Sequence, residues 1–364
     1  ITSLENVVFP ESLINLDISF NRQFQIKSLW SKPVNSSLPY LQNLEQLKVA
    51  SCNLTDDMIP NEAPPWSGNL RIFVLSNNNL LSIPPCLKFF EKLEQIQLFG
   101  NKITQINPNS LPTQVKTLDL GYNDISVIDT IKEHNEGSTE RENGTVSVNS
   151  LTLNSCPLTS FPINTFNIID LKALTLSRCN ISGELNFALP STILSFEAPH
   201  NQITKLSETF VSSLGQLAIL NLTDNLIEYI ADTFPTGMRL SVVILDKNCI
   251  SSLPKSLMSL RFVENFSVAN NKLTGLFPPF AFPKLKILNL SFNNISYLPN
   301  SFHPSSLLTD INFSFNLLSE LPKSISQSSR KIININLSSN RFRIFPRNLL
   351  AFPNLRSLSL SGNL

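Results

Sequence analysis

The stretch "LKILNLSFNNISYLPNSF", Leu285 to Phe302, decides the fold. Leu285, Leu288 and Leu290 stand at intervals of three and two, Asn293 follows, and Ile295 and a Leu298-Pro299 pair close the phrase. Around Leu288, Asn289 and Leu290 apolar and polar residues alternate, the pattern of a strand with one face buried. Written as LxxLxLxxN, with Ile, Val, Phe or Ala allowed at the Leu positions and Cys at the last, the phrase recurs fifteen times. Its final position falls on Asn21, Cys52, Asn78, Asn101, Asn123, Cys156, Cys179, Asn201, Asn225, Asn248, Asn271, Asn293, Asn316, Asn340 and Asn363. The intervals are 31, 26, 23, 22, 33, 23, 22, 24, 23, 23, 22, 23, 24 and 23 residues.

A period near 23 sustained over this distance identifies a leucine-rich repeat solenoid. The expected architecture is α/β: a curved horseshoe with a continuous parallel β-sheet on its concave side and irregular, 3-10 or short helical segments on its convex side. One domain would span 1–364, with about fifteen repeats and a partial one. Each pivot Asn carries donors and an acceptor that can satisfy backbone groups of neighbouring turns inside the coil. Pro84, Pro254, Pro299 and Pro322, each preceded by Leu or Ile, cannot donate to a strand and direct the chain to the convex side. Phe166, Phe210, Phe234 and Phe302 recur about nine residues beyond the pivots and read as a convex-side spine.

Composition excludes several function classes. The 42% hydrophobic content supplies a core, and a formal net charge of +1 provides no overall attraction to nucleic acid or membrane. The charge is nevertheless uneven. Ile1 to Met238 holds 14 Lys/Arg against 23 Asp/Glu, and Arg239 to Leu364 holds 14 against 4. Five cysteines, with no CxxC pair, argue against a disulfide scaffold, and no His falls at ligand spacing from Cys156 and Cys179 to make a metal site. No apolar run is long enough to span a bilayer, and the opening lacks the features of a signal peptide. Neither end shows a polar or Cys-rich cap, so a segment of a longer protein is expected. Phosphate-loop, HExxH and GxSxG signatures are missing, which points away from an enzyme, a metal or a cofactor. Ten N-x-S/T sequons, including Asn35, Asn143 and Asn289, arise naturally from Asn- and Ser-rich repeats.

Function then belongs to surfaces. The residue before each pivot forms a column in which Arg178, His200, Asp224 and Lys247 are consecutive and ionisable. With Glu197 and Asp246 from adjoining columns they form a candidate charged patch on the concave sheet, either a solvated cross-strand ladder or the determinants of a partner-binding face. Phe99, Tyr122, Phe292 and Phe315 are candidate aromatic anchors on the same face. The two long intervals hold "RQFQIKSLWSKPVNSSLPY", with Trp30 and Tyr40, and a polar stretch from Thr130 to Thr145 that reads as an exposed loop. Arg330, Lys331, Arg341, Arg343, Arg347 and Arg356 form a basic rim, either solvated or in contact with an acidic partner or anionic lipid. Nucleic acid ranks last, because no stacking platform is interleaved with the charge.

"LKILNLSFNNISYLPNSF", "INLSSNRFRIFP" and "LAILNLTDNLIEYI" resemble intracellular leucine-rich repeat proteins of the 23-residue type, especially the Asn- and Phe-rich arrays of amoeboid protists. "NNKLTGLFPP", from Asn270, is similar to the plant-type repeat. In the protist arrays such repeats often precede a phosphatase, GTPase or kinase domain. The resemblance implies a protein-binding module, the targeting or scaffold arm of a cytoplasmic signalling protein, with no small-molecule substrate. A receptor ectodomain is the alternative, and a regulatory region whose catalytic domain lies elsewhere is the third reading.

Overall fold

The computed structural model describes residues 1–31, 41–126, 146–158, 168–300, 305–325 and 330–364. Phe166, Phe302, Tyr40, His134, His303 and the stretch from Thr130 to Thr145 lie outside the described residues, as do the sequons at Asn35 and Asn143. The chain divides into two compact units, 1–181 and 182–364. Each is a parallel-sheet solenoid with few helices, built from one short strand per turn.

In the first unit the sheet runs Asn15–Asp17, Gln46–Lys48, Ile72–Val74, Gln95–Gln97, Gln114–Asp119, Val146–Thr152 and Ala173–Thr175, each parallel to the next. In the second it runs Ser195–Glu197, Ile219–Asn221, Val242–Ile244, Asn265–Ser267, Ile287–Asn289, Asp310–Asn312, Asn334–Asn336 and Ser357–Ser359. Register is constant in the second unit: Phe196, Leu220, Val243, Phe266, Leu288, Ile311, Ile335 and Leu358 stand opposite one another. All but the last of these central residues are buried. Because side chains alternate across a strand, the residues on either side of each central one face out of the sheet.

The chain returns behind the sheet through short, compact segments. In the first unit these are 3-10 turns, Ile26–Leu29, Asp56–Met58, Pro85–Phe89 and Pro108–Ser110. In the second they include the helical turns Glu208–Ser212 and Lys255–Met258 and the 3-10 turn Arg347–Ala351. Proline occupies the start of several, Pro85, Pro108 and the cap positions Pro254 and Pro346 among them, where its fixed φ suits a first helical turn. Large rings fill the space between the sheet and these turns. Trp66 meets Trp30 and Phe90 at 5.4 and 5.6 Å between ring centres, and Phe90 meets Phe73 at 5.8 Å. In the second unit Phe196 on the sheet packs edge-on to Phe210 of the helical turn at 5.5 Å. Phe210 and Phe234 are both buried.

Two small parallel sheets flank the main one in the second unit. The strands Ser182–Leu185, Gln202–Leu206 and Tyr229–Ile230 form the first, and Thr274–Leu276 with Asn294–Tyr297 form the second. The second begins within the "NNKLTGLFPP" segment, where Gly275 adopts a left-handed φ of 68°. A residue without Cβ enters that region freely, which lets the strand form directly after the pivot.

Candidate functional site

Each turn bends at its pivot, and the pivot side chain bonds backwards. Asn293 donates from Nδ2 to the carbonyls of Val268 (3.0 Å), Leu290 (3.1 Å) and Ser291 (3.2 Å), while its Oδ1 accepts from the Leu273 amide at 3.0 Å. Val268 and Leu273 belong to the preceding turn, so one amide stitches two turns together. Asn78, Asn101, Asn123, Asn225, Asn248, Asn271, Asn316, Asn340 and Asn363 repeat this pattern with the turn before. Asn201 donates to Ala198 O at 3.0 Å and is 8% exposed. Asn21, in the first turn, donates to Ile18 O.

Three pivots are cysteines, and all are free thiols. Their sulfurs donate to the same carbonyl position of the preceding turn: Cys52 to Ile18 O (3.3 Å), Cys156 to Leu120 O (3.3 Å) and Cys179 to Leu153 O (3.0 Å). Burial pushes the thiols of Cys156 and Cys179 up to about 11 and about 12, and that of Cys86 up to about 12. These groups are held as neutral donors.

The column before the pivots differs from expectation. Its members do not project from the sheet; they sit in the turn beyond the strand, and every one has a left-handed φ. Among them are Arg178 (57°), His200 (58°), Asp224 (57°), Lys247 (53°), Tyr122 (54°), Phe292 (55°) and Phe315 (54°). The chain must reverse within one residue so that the next side chain, the pivot, points inward, and this conformation achieves the reversal. It throws the preceding side chain outward along the edge of the sheet.

The charged candidates separate accordingly. Arg178 lies in the first unit and the other five in the second. His200 Nδ1 and Asp224 Oδ2 lie within hydrogen-bond distance at 2.6 Å, with side chains 38% and 49% exposed. Lys247 is exposed and forms no ion pair among the described residues. Glu197 stands within its strand on the sheet face, meeting Ser195 Oγ and Asn221 Nδ2 at 3.4 Å each. Asp246 is half-buried and structural in its contacts, accepting from Ser267 Oγ (2.5 Å) and the Ala269 amide (2.7 Å); burial raises its pKa in spite of these bonds.

The aromatic candidates form two pairs. Phe292 and Phe315 stack face to face, 4.1 Å between centres and 9° from parallel, and remain 45% and 46% exposed. Phe99 and Tyr122 meet at 4.8 Å and a 51° tilt; Phe99 is half-buried two residues before its pivot, while Tyr122 is 52% exposed in the turn column. The basic rim divides between two edges. Arg330, Lys331 and Arg356 precede their strands, whereas Arg341, Arg343 and Arg347 follow a pivot.

Two outward columns of the sheet itself complete the surface, and of them the sequence reading named Glu197 alone as a site candidate. From Asn265 onward they are Asn265, Ile287, Asp310, Asn334, Ser357 and Ser267, Asn289, Asn312, Asn336, Ser359. The signal was present: each lies one residue from a buried strand centre. On the edge where the first unit's strands begin, Arg71 lies 4.0 Å from Glu45 and 3.6 Å from Glu94, and Lys116 pairs with Glu94 at 2.7 Å. The Lys116 ammonium bonded to Glu94 holds that carboxyl below its ordinary value. Among the described residues no three His, Cys, Asp or Glu side chains gather as a metal site, and no helix is long and apolar enough to cross a membrane.

Comparison with known proteins agrees with this architecture. The family model described as Leucine Rich Repeat matches residues 69–90 and 284–305. Human "Leucine-rich repeats and immunoglobulin-like domains protein 3" is 32% identical over 118 residues, 32% of this chain and 10% of that protein. The systemin receptor of Solanum peruvianum is 34% identical over 151 residues, 38% of this chain and 12% of the receptor. The chain thus spans about a tenth of the length of these curated relatives. Among solved structures, a leucine-rich repeat protein of Leptospira interrogans superposes with a TM-score of 0.68 at 22% identity, covering 97% of this chain and 85% of the other. The ectodomain of the Arabidopsis receptor kinase HAESA, solved with a peptide hormone, gives 0.63 at 25% identity, covering 97% and 58%.

Proposed function

Because this chain is a leucine-rich repeat protein, we propose that it is a non-catalytic module that binds a protein partner, and that it serves as the targeting arm of a cytoplasmic signalling protein. The observation that carries the binding role is the turn column. A uniform interior holds exposed side chains of very different chemistry, His200, Asp224, Lys247, Phe292 and Phe315, at one repeated backbone position of the second unit. A rigid scaffold that varies only what it displays is suited to recognition, and exposed aromatics beside charged groups are the usual anchors and rim of an interface. The Arg341, Arg343 and Arg347 edge would add electrostatic attraction for an acidic partner.

A receptor ectodomain is the second reading. It is favoured by the two flanking sheets, one of which begins in the plant-type "NNKLTGLFPP" segment, and by the likeness to plant receptors. The test is capture from a lysate with the wild-type chain and with D224K/K247E. Both residues are surface groups, so circular dichroism of the variant should match wild type. A partner held by wild type and lost by the folded variant supports the reading; an identical capture list from the two proteins removes it.

A further inference from the structure

The outward face of the second unit carries an uncharged amide array. Asn289, Asn312 and Asn336 stand in register on adjacent strands. Each Oδ1 is taken by its own turn, accepting from Ser291 Oγ (2.8 Å), Ser314 Oγ (2.8 Å) and Ser338 Oγ (2.6 Å) and from the amides of the same serines. That bond fixes the amide plane, and among the described residues no acceptor meets the three Nδ2 groups. The result is a row of oriented donors over a shallow trough of about 350 Å³. No Lys or Arg lines it. Its one carboxylate, Asp310, is engaged by Asn334 Nδ2 and Thr309 Oγ1, both at 2.6 Å. Three residues beyond Asn289 and Asn312, the stacked Phe292 and Phe315 supply an apolar surface at the ends of the same strands.

We propose that this trough binds an extended neutral oligosaccharide lying across the strands. The lining has no cation to balance an anionic ligand and a single carboxylate already bonded by Asn334 and Thr309, while its serines, amides and half-exposed Ile287 match hydroxyls and C–H faces. Spacing decides between neutral chains. Adjacent strands lie about 4.8 Å apart, close to the length of one pyranose with its linkage, whereas an extended peptide advances about 3.3 Å per residue and falls out of step with the amides. One sugar per turn therefore meets one Asn donor per turn. The trough is lined by strand residues, apart from His200, Asp224 and Lys247, and it meets the turn column assigned above to a protein partner only at Phe292 and Phe315.

Isothermal titration of the full chain with cellohexaose, chitohexaose and an uncharged Gly-Ser decapeptide tests it. The variant N312D/N336D keeps both Oδ1 acceptors for the serines and removes both outward donors. One of the hexasaccharides should bind wild type with a Kd below about 10 mM, and the variant should bind it at least about tenfold more weakly at an unchanged melting temperature. If the double variant melts early, N336D alone is measured against the same expectation of weakened binding. Neither sugar binding below about 10 mM, equal binding by a folded variant, or a decapeptide that binds as tightly as the sugars would overturn the proposal.

Discussion

At the scale of single residues, the pivot must satisfy backbone groups that have lost access to water. Asn293 does so with one side chain serving two turns. N293A leaves the Leu273 amide and the Val268 carbonyl without that partner, and each buried unsatisfied group costs about 1–3 kcal/mol. Cysteine retains the backward donor, as Cys52, Cys156 and Cys179 do in their own turns. N293C should therefore lower the urea midpoint less than N293A; equal losses would show that the donated bond contributes nothing. The thiols also predict a pH dependence. Their folded pKa values, about 11 and about 12 for Cys156 and Cys179, lie above the ordinary value near 9, so the folded state favours the protonated thiol. This contribution is complete below about pH 8.5 and is lost as pH rises toward the folded values. C156A/C179A should have a flatter decline in stability between pH 9 and 11 than wild type, measured by urea titration at each pH.

At the scale of the element, each turn combines a three-residue strand with a one-residue left-handed reversal. For an L-residue that reversal is strained by about 1–2 kcal/mol, and glycine is free of the strain. At Lys247, with φ 53°, K247G should be neutral to stabilising by up to about 1 kcal/mol, because relief of strain is offset by the greater freedom of the unfolded chain. K247V should destabilise by about 1–2 kcal/mol, since a β-branched side chain fits this region worst. Thermal unfolding ranks the two, and K247V melting at or above K247G would contradict the assignment. The column already carried this information: its fifteen residues include two glycines and two asparagines and no Val, Ile or Thr. Position relative to the strand was harder to read. Period-two alternation extended past Leu290 would put Phe292 on the buried face with Leu288 and Leu290, but the strand has ended at Asn289 and the left-handed turn leaves Phe292 exposed.

At the scale of the molecule, the period alone made the solenoid legible, because every turn buries the same positions. Leu288, Ile311 and Ile335 occupy equivalent core sites on neighbouring strands. The candidate site was less legible, since side-chain pairing depends on how adjacent turns stagger. His200 and Asp224 pair across 24 residues, while Lys247, the next member of the same column, forms no ion pair among the described residues. Asp246, one residue before Lys247, turns toward Ser267 and Ala269, so two neighbours in sequence serve structure and surface respectively. The basic residues gathered near the end of the chain fall on two edges for the same reason: residues before a strand and after a pivot leave the coil in different places.

The most direct test of the central claim, that a uniform interior displays its recognition groups along the sheet and its turn column, is hydrogen exchange on the captured complex. Added protection is expected at the turns around His200, Asp224 and Lys247 and in the adjoining strands, with none at Glu208–Ser212 or Lys255–Met258 behind the sheet. Protection confined to those helical turns would place the partner on the other side and contradict that claim.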